Sequence, residues 1–145
     1  MHIEKVHAAT PELLGAMRQL FPQLTTAATC PDMGQLEALV RGEPTNLLVV
    51  REPDETGKIV AMGCLVVYQV PTGIHGVIQD VVVDQSFRGR GIGQALVQGL
   101  LDIARAKGAR RVALTSNPGR ASANRLYLRM GFRPRRTNHY YYNLT

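Results

Sequence analysis

The run Arg88-Gly89-Arg90-Gly91-Ile92-Gly93 follows Val81-Val82-Val83-Asp84 and precedes an amphipathic stretch, so it reads as strand, glycine turn and helix start. Three glycines in such a turn let the main chain take positive φ and approach a ligand, so that successive N–H groups converge on an anion. The helix beginning near Gly91 adds its unpaired N-terminal donors and the positive end of its dipole. Arg88 and Arg90 contribute planar donor forks suited to phosphate. The feature predicts a ligand that carries a pyrophosphate.

The remaining chain supplies a frame for that turn. Ile3 to His7 reads as a first strand, and Thr10-Pro11 opens a helix with Leu13, Leu14, Met17 and Leu20 on one face. Phe21 to Pro31 reads as a loop, after which Asp32 caps a second helix bearing Met33, Leu36, Leu39 and Val40. Asn46 to Arg51 and Ile59 to Gln69 flank the turn Pro53-Asp54-Glu55-Thr56-Gly57 and predict an antiparallel hairpin. Gly76 to Asp84 is apolar nearly throughout, as in a central strand. Ile92, Leu96, Leu100 and Ile103 mark a long helix that stops at Lys107-Gly108, and Arg111 to Thr115 reads as a strand. Strand, helix and strand make a crossover unit, which predicts parallel pairing with the turn at the carboxyl end of its first strand. A helix over roughly Ala121 to Met130, stopped by Gly131, and two short strands, Phe132 to Arg136 and His139 to Leu144, finish the chain.

With 145 residues, the sequence suits one domain, residues 1–145. Charge is divided unevenly: residues 1–87 hold 5 Lys/Arg against 10 Asp/Glu, and residues 88–145 hold 12 against 1. A basic second half suits a polyanionic ligand. Nucleic acid is the rival partner, but the arginines form no tract and aromatics make up only 6% of the chain, which weighs against a stacking platform. Cys30 and Cys64 show no metal-ligand spacing and read as reduced thiols, with no metal expected. No apolar run approaches the roughly 20 residues of a membrane span, and Met1 to Lys5 lacks signal-peptide order, so a soluble cytoplasmic protein is expected.

Details of the turn narrow the ligand. Gly93-Gln94-Ala95 lacks the Lys and hydroxyl of a Walker loop, and no acidic residue lies in 105–115 where a dinucleotide fold would place one. Arg88 to Gly93 instead fits the [QR]-x-x-G-x-[GA] motif and resembles the GNAT superfamily of acetyl-CoA-dependent N-acetyltransferases. Asp80 to Phe87 is similar to that family's strand and lead-in. Arg120-Ala121-Ser122-Ala123-Asn124-Arg125-Leu126-Tyr127-Leu128-Arg129-Met130-Gly131-Phe132 is similar to its second motif, A-x-x-L-Y-x-x-x-G-F.

That resemblance implies an α/β (α+β) fold. It would have a mixed, mostly antiparallel sheet of six to seven strands, a splayed central parallel pair and about four helices. It implies acetyl-CoA as cosubstrate, with the backbone of Val81, Val82 and Val83 along the pantetheine arm. Arg88, Gly89, Arg90, Gly91, Ile92, Gly93 and Gln94 would hold the pyrophosphate. Val82 or its neighbour would offer an N–H to the thioester oxygen, and Asn117 and Arg120 would line the cofactor cleft. The commoner form of the second motif has Asn where Arg120 stands. Tyr127 matches the general acid that protonates departing thiolate, although its spacing from Ala123 and Met130 also fits a packed core aromatic.

For the base that deprotonates the incoming ammonium, the resemblance makes Asp80 the leading candidate, with a water chain as the alternative and His75, in the loop before the strand, and His139 as weaker candidates. Gln79 stands where some relatives have Glu, and an amide cannot serve. The resemblance implies direct transfer in a ternary complex. A small-molecule amine is the expected acceptor; a protein or peptide amine, or a non-catalytic acetyl-CoA sensor, is the alternative. Acceptor contacts are expected from Phe21 to Pro31, Val70 to His75 and Arg136 to Asn138, and a homodimer is compatible with the sequence.

Overall fold

The computed structural model describes residues 1–26 and 29–145, and in it the apolar alternation of the chain becomes one mixed sheet. Its strands are β1 (His2–Lys5), β2 (Thr45–Glu52), β3 (Lys58–Val70), β4 (Gly73–Val83) and β5 (Val112–Ala113), side by side in chain order. The first four pair antiparallel, and β5 runs parallel to β4. Helices α1 (Pro11–Leu24), α2 (Met33–Arg41), α3 (Ile92–Ala106) and α4 (Ala121–Arg129) complete the order. The mixed α/β class, the hairpin, the crossover and the four helices are those expected. Contacts gather into two compact units, Met1–Thr115 and Ser116–Thr145.

Helix ends are set by local chemistry. The Thr10 side chain accepts the Leu13 N–H at 3.1 Å, with Pro11 in the first helical position, where its missing donor costs nothing. Asp32 and Gln35 cap each other's backbone reciprocally at the start of α2. Gly108 (φ 79°) and Gly131 (φ 96°) supply the left-handed residue after α3 and α4. Helix α1 runs on through Phe21 and Pro22 to Leu24, shortening the predicted loop, because Phe21 and Leu24 pack against the core. Residues 27 and 28 of that loop lie outside the described residues.

Apolar stripes then cover both faces of the sheet. On one, Leu13, Leu14, Met17 and Leu20 of α1 and Leu36 of α2 pack with Leu47, Val49, Ile59, Met62 and Val82. On the other, Leu96, Val97, Leu100 and Ala104 of α3 are buried. Each fully buried Leu or Val contributes roughly 1.5–3 kcal/mol, more than helix propensity can supply. Gly63 is closely packed beside β4, since a Cβ there would lie 3.1 Å from Leu100 and 3.4 Å from Val81.

The sheet has five strands, fewer than six to seven. Only Val112 and Ala113 of the predicted Arg111 to Thr115 strand are in ladder register. Residues 132–136 and 139–144 form no strand, and Tyr140, Tyr141, Tyr142 and Leu144 are more than four-fifths exposed. A strand pair with no apolar face to bury is marginal in water, and Arg133, Arg135 and Arg136 keep this segment hydrated.

Candidate active site

Strand β4 is paired on both sides only near its start. Gly76 and Val77 pair with Val112 and Ala113 of β5, and among the described residues no later residue of β4 has a strand partner on that side. On the β3 side, register jumps from Cys64↔Gln79 to Met62↔Val82, so Asp80 and Val81 together face Gly63. This is a β-bulge, the feature expected to splay the parallel pair. Asp80 has φ 54° and is the one non-glycine residue with positive φ among the described residues.

The extra residue reverses the direction of the backbone. Gly76 N–H donates to Arg111 C=O on the β5 side at 3.0 Å, whereas Asp84 N–H donates to Val60 C=O on the β3 side at 2.8 Å. By the two-residue period of a strand, Val82 directs its N–H and C=O to β3, and Val81 and Val83 direct theirs to the open side. Of the donors considered from sequence, Val82 is the one committed to the sheet; its neighbours are available.

Past β4 the chain enters the glycine turn. Asp84 is 5% exposed; its Oδ1 accepts the Ser86 N–H at 2.9 Å and its Oδ2 the Gln19 Nε2–H of α1 at 3.2 Å. The Ser86 N–H foremost, against the opposing effect of burial and with help from the Ser86 and Gln23 side chains and the Lys58 charge, holds its carboxyl below the usual carboxylate range. Gly89 (φ 77°) and Gly91 (φ 78°) are left-handed, and a Cβ at either would meet nothing within 4 Å. Conformation rather than space therefore requires glycine here. Gly91 caps α3 without a side-chain acceptor, and the first intrahelical bond is Ala95 N–H to Gly91 C=O, at 3.1 Å. The N–H groups of Ile92, Gly93 and Gln94 thus have no intrahelical acceptor, as an anion site requires. Arg88 Nε donates to Val83 C=O at 3.0 Å, and neither Arg88 nor Arg90 has an ion-pair partner among the described residues. The structure thus brings Asp80 to Gln94 together at one end of β4.

His75 is not in a loop. It lies within β4, 6% exposed, because the strand begins at Gly73 and turns the ring inward beside Tyr68, centroid to centroid 5.9 Å. Its Nε2 is 3.2 Å from Thr72 Oγ1, and its Nδ1 is buried without a hydrogen-bond partner among the described residues. Asp80 is exposed. Cys64 and Cys30 are free thiols. Burial first and the Asp80 charge second push the Cys64 thiol up to about 11, so it is protonated and a poor nucleophile at neutral pH.

In the second unit, Asn117 Oδ1 accepts the Gly119 N–H at 2.8 Å, and Arg120 stands at the N-cap of α4 without a side-chain cap. Tyr127 is 7% exposed and meets Phe132 edge-on, centroids 5.7 Å apart. Phe132 N–H donates to Tyr127 C=O across the Gly131 stop at 3.0 Å. Burial raises the Tyr127 phenol above its usual range, with the Arg120 charge opposing, so it keeps its proton at neutral pH. His139, Arg135 and Arg136 are exposed. Sequence reading missed Asp84, Gln19, Lys58 and Phe87, which build and flank the turn. Asp84-Gln85-Ser86 carries the spacing of an Asx turn, a usable signal for the first of them.

Among the described residues, no three His, Cys, Asp or Glu side chains gather to hold a metal ion, and no helix is long and apolar enough to cross a membrane. An open strand edge leading into an uncapped helix start suits a ligand that carries both amide and phosphate groups. Residues 14–132 match the acetyltransferase (GNAT) family, and the chain belongs to that family. Members of the family use acetyl-CoA. The chain is 34% identical over 110 residues to glucosamine 6-phosphate N-acetyltransferase 1 of Oryza sativa subsp. japonica, covering 72% of this chain and 65% of that protein. It is 40% identical over 81 residues to the glucosamine 6-phosphate N-acetyltransferase of Trypanosoma brucei brucei, covering 54% and 53%. The chain therefore spans 53–65% of the length of these two relatives. The crystal structure of an acetyltransferase from Trypanosoma brucei superposes with a TM-score of 0.77 at 28% identity, covering 98% of this chain and 100% of that one.

Proposed function

We propose that this protein is an N-acetyltransferase that moves the acetyl group of acetyl-CoA to the primary amine of a small molecule. The observation that carries it is the bulge at Asp80, which frees one edge of β4 directly before the glycine turn. The residues fit the cosubstrate: the N–H groups of Val81 and Val83 and the C=O of Val81, on the open side of β4, suit an amide-bearing pantetheine arm, while the Val83 C=O holds Arg88 Nε. The left-handed Gly89 and Gly91, the uncapped α3 start and the unpaired Arg88 and Arg90 suit a pyrophosphate. We further propose that both units, residues 1–145, act as one domain, with Asn117 and Arg120 serving the cofactor cleft. An amino-sugar phosphate leads among acceptors, because both curated relatives carry that name. The free thiols support a cytoplasmic location.

In this reading Asp80, exposed at the bulge, takes the proton from the acceptor's ammonium, directly or through water. The free amine attacks the thioester carbonyl, forming the C–N bond as the carbonyl π electrons move to oxygen. An N–H on the open side of β4 meets that developing charge. Collapse breaks the C–S bond as Tyr127 donates its phenolic proton to the leaving sulfur, and the proton that the new amide nitrogen sheds passes through water back to the Tyr127 phenolate. The protonated Cys64 thiol supports direct transfer rather than an acyl-enzyme.

Release of free thiol from acetyl-CoA, measured across a panel of glucosamine 6-phosphate, other amines and peptides, tests the reading. Amine-dependent release is expected; tight CoA binding without turnover on any amine would make the protein a sensor. Tyr127→Phe is expected to lower kcat by about ten- to hundredfold with CoA affinity unchanged. Because the Tyr127 pKa is raised, the donor is lost only as pH climbs past the ordinary tyrosine range. The wild type should therefore show an alkaline fall in kcat above about pH 10 that Tyr127→Phe lacks.

A further inference from the structure

Phe87 closes the single turn Gln85–Phe87 between β4 and the glycines, and two cations from different parts of the chain lie against its ring. Lys58 Nζ, from the first residue of β3, is 5.1 Å from the ring centroid, and Arg90 Cζ is 4.9 Å from it. Arg90 Nη2 also donates to Ser86 C=O at 3.3 Å. The turn that carries the ring is itself fixed. Phe87 N–H donates to Asp84 C=O at 2.8 Å, while the buried Asp84 carboxylate holds Ser86 and is held by Gln19.

Lys58 and Arg90 have no ion-pair partner among the described residues, and Arg88 beside them has none either. Gathering like charges raises the energy of the empty site unless something offsets their repulsion. The Asp84 carboxylate, which Lys58 attracts at longer range, offsets part of it, and the negative face of the ring offsets a further part and orders the long side chains that carry the charges. What remains is a patch of positive potential beside the uncapped start of α3. We infer that Phe87 is a positioning residue for ligand phosphate: its ring holds Arg90 at the glycine turn and recruits Lys58, a cation from outside the motif, to the same anion. This rests on the reading of the site as a CoA site and adds Phe87 and Lys58 to it.

Calorimetric titration of the full chain with CoA at low and high salt tests the inference. Phe87→Leu, which keeps apolar bulk and removes the π face, should weaken CoA about five- to tenfold, while Phe87→Tyr should stay within about twofold of wild type. Lys58→Met should weaken CoA about threefold and flatten the salt dependence, because one screened charge is gone. Its effect should largely vanish in the Phe87→Leu background, since the two act as a unit. Equal losses in Phe87→Leu and Phe87→Tyr, or wild-type affinity in Phe87→Leu with its melting temperature preserved, would overturn the inference. Should Phe87→Leu fail to fold, Lys58→Met at its exposed position decides alone, and unchanged affinity and salt dependence refute the role. If wild type binds no CoA, the functional reading fails by itself. The same variants titrated with inorganic pyrophosphate then either reproduce this rank order, supporting the cation cluster, or bind alike, refuting it.

Discussion

Around Gly76 and Val77, β4 has a neighbour on each side; from Val81 to Val83 it has β3 alone. Both stretches carry β-branched apolar residues, and neither contains a residue that announces the change. The difference arises from one extra residue opposite Gly63, which reverses which backbone groups face the sheet. In the first stretch the outward groups are consumed by β5, and they serve stability. In the second, apart from the Val83 C=O that holds Arg88, they are left for a ligand. A sheet can thus open a binding edge without an exposed edge strand, by changing period inside a strand.

Proline substitution gives the largest effect and tests this division most directly. Val82→Pro removes a donor aimed at β3 and should cost about 3 kcal/mol or more, enough to unfold much of the protein. Val83→Pro removes a donor aimed at the open side; it should leave the melting temperature within a few degrees and weaken CoA by about tenfold or more. Equal destabilisation by both would erase the distinction. Next in size, Asp80→Gly keeps the positive φ of the bulge without the carboxylate. It should lower kcat about a hundredfold while remaining more stable than Asp80→Ala, by about 1 kcal/mol, in thermal melts. Full activity in Asp80→Gly would assign Asp80 to the shape of the bulge alone.

Gly91→Ala tests the end of the open stretch. Space is available for the methyl group, so the cost is conformational, about 1–2 kcal/mol, and CoA binding should weaken about five- to tenfold. Smallest of all, Cys64→Ala beside the bulge should keep kcat within about twofold and lose about 1 kcal/mol of stability. Loss of turnover with folding and CoA binding intact would restore a covalent route.

Much of this architecture was legible before any coordinates. Thr10, the Asp32 and Gln35 capping box, Gly108 and Gly131 mark helix ends by interactions that span only a few residues. The glycine turn is recognisable for the same reason, since Gly89, Gly91 and the following helix start act within one local segment. His75 was misplaced because no residue near it signals a strand start at Gly73. The two short strands expected over Phe132 to Arg136 and His139 to Leu144 do not form, because local sequence says nothing about whether a face exists to bury them. Lys58 escaped notice because its contact with Phe87 joins the start of β3 to the far end of β4.

What the sequence alone determined is therefore the local chemistry: element order, helix caps and a turn shaped for phosphate. Family membership follows from the two motifs carried by those same segments. Only the tertiary structure decided that Asp80 and Val81 share a single partner. That outcome depends on Gly63 lying under Leu100 of α3 and on β5 pairing with just two residues of β4. Register and strand splay are settled by side chains distant in sequence competing for one core. No local pattern encodes that competition, and the open edge exists only once it is resolved.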